Sequence, residues 1–168
     1  MQKERERKDL NFNMDIETDR EFQEAVVEVR RVSKKTKGGN QIRFSSLVVV
    51  GNKKGKVGVG ISKAKDVRGA IQKAVTYAKA RMINVPLSGT TIPYPVKKKF
   101  SAAKIILKPA PKGSGIIAGG AMRVVLELAG VKDAVGKILG TKNKISNVYA
   151  TFEALKTLSE IIERSRKK

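Results

Sequence analysis

Arg30, Arg31, Lys34, Lys35 and Lys37 crowd against a glycine pair, Gly38 and Gly39. Lysines on a mobile loop can follow a phosphate backbone, and glycines let the main chain approach it closely. Arg43, Lys53, Lys54, Lys56, Lys63, Lys65 and Arg68 extend the cationic series through the stretch that follows. The chemistry this suits is electrostatic capture of a polyanion. The plain alternative is a solvated hairpin tip, since charged loops are common. Lys97-Lys98-Lys99 is a second run. It can reach a nucleic acid, or keep an exposed sheet edge from pairing with other strands, and a lysine triplet leaves both open.

Covalent chemistry has few candidates. The chain contains no histidine and no cysteine. That removes the commonest acid–base group near neutral pH, the thiol nucleophile and the usual zinc ligands. No serine, tyrosine or lysine stands beside an obvious catalytic partner, so neither an enzyme nor a cofactor or metal site is expected. The glycine-rich stretch from Lys112 through Gly113, Gly115, Gly119 and Gly120 to Arg123 needs separate treatment. Glycines before a helix can cradle phosphate. A Walker loop, however, requires Lys-Ser or Lys-Thr after its last glycine, and Ala121-Met122 follow here. Gly58-Val59-Gly60 fails as a dinucleotide fingerprint, because Lys63 stands where the third glycine belongs. A tight turn that lets a helix pack on a sheet or on another protein is the better account.

The charge distribution decides the partner's class. A single carboxylate, Asp66, stands between Glu28 and Glu127, and the net charge is +21. A compact domain so unbalanced repels itself unless a polyanion neutralises it, which points to nucleic acid. Aromatic residues make up only 5% of the chain, so base stacking on a single strand is not expected. Structured RNA, bound by shape and phosphate, fits better. A helix-turn-helix reader of DNA does not fit, because the first helix follows strands and not another helix. Hydrophobic residues reach 40%, enough for a real core. There is no bilayer-length apolar run and no apolar signal region after Met1, and a soluble, cytoplasmic protein is expected.

Elements must hold these residues in place. Residues 1–23 mix charges of both signs and read as a mobile tail, either a contact or a solubilising extension. Val26, Val27, Val29 and Val32 argue a first strand, residues 33–40 a loop, and Ile42, Phe44, Val48 and Val50 a second strand with one apolar face. Residues 51–55 form a hairpin connection, and Val57, Val59 and Ile61 a third strand. Val67, Ala70, Ile71, Ala74, Val75, Ala78 and Met82 recur at helical spacing. Asp66 precedes them as a helix-capping carboxylate. Prolines and glycines near residues 84–90 mark a domain boundary. Beyond it the pattern predicts a strand over residues 101–108, the glycine-rich loop and a helix ended by Gly130. A further strand over 131–139, a turn at 143–146 and a helix striped by Val148, Phe152, Leu155, Leu158 and Ile162 complete it. Residues 164–168 form a basic end. The units are thus residues 24–86 and 87–163.

At this depth the residues resemble a known family. Arg31-Val32-Ser33-Lys34, Lys37-Gly38-Gly39, Val49-Val50-Gly51, Gly55-Lys56-Val57-Gly58 and Ala70-Ile71-Gln72-Lys73-Ala74 occur in the order found in small-subunit ribosomal protein five. So do Pro109-Ala110, the run from Gly115 to Arg123, and Ala129-Gly130-Val131. The compact length is similar to the bacterial type. The resemblance implies an α+β fold of two domains. The first is a βββα unit like a double-stranded-RNA-binding domain without its first helix. The second has a left-handed βαβ crossover, the uncommon hand.

It also implies a structural role in the small ribosomal subunit, on small-subunit rRNA near the decoding region. Contacts with small-subunit proteins four and eight are implied, as is a place beside messenger RNA at the channel by which it enters. The family's spectinomycin-resistance loop matches Val32, Ser33, Lys34 and Gly39. Its interface with protein four, which affects decoding accuracy, matches Gly115 and Arg123. The sequence departs from the family pattern at Arg68-Gly69, where a proline often precedes the helix run. A general architectural nucleic-acid binder acting outside the ribosome is the alternative.

Overall fold

The computed structural model describes residues 21–166. Strands β1 (Gln23–Thr36), β2 (Gly39–Gly51) and β3 (Lys56–Ala64) form an antiparallel sheet. A two-residue strand that sequence reading missed, β4 (Ile83–Asn84), closes on β3. The register of β1 shifts between Val26 and Glu28, so Val27 is the extra residue of a bulge. The expected loop over residues 33–40 does not form. Cross-strand pairing continues to Thr36 and Gly39, leaving only Lys37 and Gly38 as the connection. An antiparallel ladder satisfies the backbone whether or not its side chains are buried, so a polar lysine-rich segment can stay extended. Gly39 takes the positive φ of the turn, +121°, and the Thr36 hydroxyl donates to its carbonyl at 2.8 Å.

Helix α1 (Val67–Ala80) lies across one face of this sheet, where Ala74, Val75 and Ala78 pack on Val48 and Val50. As expected, Asp66 caps it, its carboxylate accepting from the Gly69 N–H at 2.6 Å. The single apolar face expected of β2 is corrected, because residues 45–51 are all buried. Leu47 and Val49 point away from α1 into a second apolar cluster.

That cluster is shared with the second domain. Strands β5 (Val96–Phe100), β6 (Ala103–Pro109), β7 (Ile116–Ile117) and β8 (Ala134–Leu139) form a sheet in the order β5-β6-β8-β7. Strand β7 runs parallel to β8, and α2 (Gly120–Ala129) connects them as a βαβ unit. Sequence reading left the Lys97-Lys98-Lys99 run as a nucleic-acid contact or an exposed sheet edge, and β5 is an edge strand of this sheet; β7 it missed, because glycines surround it. Gly130 ends α2 with φ +91°, and the N–H groups of Gly130 and Val131 return to the carbonyls of Glu127 and Leu126. Helix α3 (Lys144–Arg166) begins where a turn was expected and carries residues 164–166 of the expected basic end. Tail residues 1–20 and residues 167–168 lie outside the described part.

The layers follow from which faces are apolar. Helices α2 and α3 are sandwiched between the two sheets. Leu47, Val49, Val57 and Val59 of the first sheet share one cluster with Ile105 and Leu107 of the second, and with Met122, Leu126, Leu155 and Leu158 of the helices. The β2–β3 turn is bonded to the end of α2, Lys53 N–H to the Leu128 carbonyl at 3.0 Å and Gly55 N–H to that of Ala129 at 2.9 Å. Among the described residues no helix is long and apolar enough to cross a membrane.

Candidate nucleic-acid interface

Strand β3 pairs with β2 only as far as Phe44 and Ala64. Beyond that point β1 and β2 continue alone as a two-stranded arm, through Val32↔Arg43, Ser33↔Ile42, Lys34↔Gln41 and Lys35↔Asn40 to the turn. The arm projects about 15 Å at a rise of about 3.4 Å per residue. Side chains alternate between faces, so Lys34 shares one face with Val32, Gln41 and Arg43, while Lys35 shares the other with Arg31 and Ser33. A groove of about 280 Å³ runs along the first face, with Lys63 at its root. Beside it a second groove of about 360 Å³ is lined by Arg43, Lys63, Lys65 and Lys73 at the capped start of α1. Arg68 is exposed on the first turn of that helix.

The sequence-predicted contact residues therefore fall into two groups. Arg31, Lys34, Lys35, Lys37, Arg43, Lys63, Lys65 and Arg68 gather at the arm and its root, together with Val32, Ser33, Gly38 and Gly39. Lys53, Lys54 and Lys56 lie at the other end of β2, whose 13 residues span about 40 Å. There Lys53 is bonded to α2 through its backbone, and the Lys54 Nζ lies 3.8 Å from the Glu21 carboxylate. Arg30 stays exposed but is ion-paired within the protein. Its Nε lies 2.7 Å from Glu28, whose other oxygen is 3.7 Å from Lys144 of α3.

The glycine-rich stretch holds an anion, but the anion is the protein's own. Asp133, a residue that sequence reading passed over, is 4% exposed. Its Oδ1 accepts from the N–H groups of Gly113 at 3.0 Å and Gly115 at 2.9 Å. The Thr90 hydroxyl, then the backbone N–H groups of Gly115, Gly113 and Ser114, hold this carboxyl below the usual range; burial opposes them. The visible signal was Gly113-Ser114-Gly115, a nest for an anion, with nothing in the sequence to say which anion fills it. Gly119 caps α2 without a side chain and Gly120 opens it. Arg123 faces an open groove of about 590 Å³ together with Lys53, Glu127 and Lys132.

A carboxyl whose folded pKa is depressed stabilises the fold above its unfolded pKa, about 3.9, and loses that effect as pH falls through the lower folded value. Asp133→Asn is therefore expected to lower the melting temperature at pH 7. The gap to the unaltered protein should close as pH falls below about 4. Thermal unfolding across pH reads this directly, and a gap that persists at pH 2 would mean the charge is not what matters.

Known proteins share this layout, and they are ribosomal proteins. Residues 22–86 match the family model described as ribosomal protein S5, N-terminal domain, and residues 98–168 match that of the S5 C-terminal domain. Small ribosomal subunit protein uS5 of Acaryochloris marina (strain MBIC 11017) is 47% identical over 164 residues, covering 97% of this chain and 91% of that protein. The chain belongs to the ribosomal protein S5 family.

Proposed function

We propose that this protein is a structural constituent of the small ribosomal subunit, bound to small-subunit rRNA and carrying out no catalytic step of its own. It works in the cytoplasm, as part of the ribosome. The observation that supports this most is the arm, exposed along its length and cationic on both faces, with the lysine-lined grooves at its root. A two-stranded ribbon of this kind fits between RNA segments and touches phosphates on either side. Lys53, Lys54 and Lys56 would meet a separate stretch of RNA. The surface around Gly115, Gly119, Gly120 and Arg123 faces neighbouring proteins, with proteins four and eight as the partners. From that position the protein supports subunit assembly and decoding accuracy, beside messenger RNA where it enters the subunit.

Replacing Lys34, Lys35 and Lys37 together with glutamine is expected to weaken binding to folded small-subunit rRNA. The log–log salt slope should fall by about 0.9 for each phosphate that is no longer neutralised on duplex-like RNA, about 2 to 3 in all. An unchanged slope would remove the arm from the interface. Equal affinity for random duplex DNA and folded rRNA would favour an architectural binder outside the ribosome.

A further inference from the structure

The arm is tied down near its base by one carboxylate. Glu28 stands opposite Leu47 and Arg30 opposite Ser45, just before the rung Phe44↔Ala64 at which β3 stops. Alternation puts both side chains on the face that Leu47 turns to the second domain. The Glu28 side chain is only 18% exposed, walled by Ser45, Leu47 and Ile61 and by Ile145 of α3. One of its oxygens meets Arg30 Nε at 2.7 Å, and the other lies 3.7 Å from Lys144 Nζ. Of the ion pairs among the described residues, the one between Glu28 and Lys144 crosses from the first domain to the second.

The start of α3 needs that carboxylate. Lys144 puts a cation at the positive end of the helix dipole, and the first turn has no acidic residue of its own. The strand is also bent here, since the bulge at Val27 immediately precedes Glu28, and a bulge re-aims the strand that carries it. Beyond Phe44 the ribbon has no third strand, and a two-stranded ribbon is only marginally stable by itself. We propose that Glu28 is a positioning residue for the arm. It braces the base of β1 against α3 through Arg30 and Lys144, and so fixes the direction from which the arm meets RNA. This rests on the reading of the arm as an RNA-binding element and adds what aims it. By charge alone Glu28 opposes binding, because a carboxylate repels phosphate. The sign of its effect is therefore diagnostic.

Glu28→Gln in the full-length protein separates the two effects. Charge alone predicts tighter binding to folded small-subunit rRNA, because a repulsion is gone. Bracing predicts weaker binding, by about 2- to 5-fold, the shift that a pair at this exposure can impose on a conformational equilibrium. The salt slope should stay where it is, since no phosphate contact is lost. Arm direction is read without RNA. The chain has no cysteine, so spin labels at Gly38→Cys and Lys156→Cys report the distance from the arm's tip to α3. That distribution should broaden with Glu28→Gln and with Lys144→Gln, and no further when the two are combined. Lys144→Gln, at an exposed position, carries the distance test even where Glu28→Gln folds poorly. Unchanged or tighter RNA binding by Glu28→Gln would overturn the proposal, as would unchanged distance distributions. A lowered slope would overturn it too, by tying the loss to phosphate contacts and not to aim. If the arm lysine variant leaves the slope unchanged, the RNA reading fails, while the distance distributions still show whether Glu28 braces the arm.

Discussion

Gly60→Ala is expected to destabilise the protein by at least about 3 kcal/mol, the upper end of what overpacking costs. A Cβ on Gly60 would overlap the carbonyl oxygen of Ala74 and come within 2.9 Å of the Ala78 nitrogen. One on Gly58 would overlap the Ala78 carbonyl. These obstacles are helix backbone, which cannot rotate aside as a side chain can. The helix would have to lift from Val48 and Val50, opening the small cluster they form with Ala74, Val75 and Ala78. With domains stable by only about 5 to 15 kcal/mol, that is a large share. Urea unfolding measures it. Gly38→Ala is the control, since nothing lies within 4 Å of its would-be Cβ and its φ is not positive; it should change stability by less than about 0.5 kcal/mol. A comparably small effect for Gly60→Ala would mean that α1 stands further from the sheet than it does here. The consequence reaches the interface as well, because α1 carries Lys73 beside the groove at the root of the arm.

Leu47→Ala should cost about 2 to 5 kcal/mol, the range for a buried leucine that leaves a cavity. Leu47 belongs to β2 of the first domain, yet at 2% exposure it sits in the cluster that β2 and β3 share with the second. The destabilisation should therefore register in both domains. Native-state hydrogen exchange offers the clearest test: amides of α1 and of α3 are expected to lose protection together, by the same free energy. If α3 kept its protection while the first sheet became unprotected, the domains would be independent units that merely touch. Coupling of this kind matters for function. The arm on the first domain and the groove beside Arg123 on the second can transmit position to one another only through a rigid junction.

Much of this was legible from residue order. Alternating valines placed β1 to β3, helical spacing placed α1 and α3, and Gly130 marked the end of α2. The elements left open or read as loop were those whose local signals were overridden. In β5 the lysines conceal a ladder that needs only one buried face, supplied by Val96. The segment over residues 33–40 looked like a loop because lysine, glycine and threonine favour one. It is a ribbon because β1 and β2 are already aligned by the valines behind it. Of the candidate RNA-binding residues, those at the arm were found with their neighbours. Lys53, at the far end of β2, and Arg30, paired with Glu28, stand apart from them, a separation that charge in a sequence does not carry.

Composition and order alone determined the partner's class, the two α+β domains and the capping of α1 by Asp66, since net charge, periodicity and capping are local or additive properties. Which cations face outward was decided only in three dimensions. So was the docking of the second domain on the back of the first sheet. The glycine nest was likewise settled by a residue distant in sequence: Asp133 fills it, and a carboxylate already held there leaves no place for a phosphate.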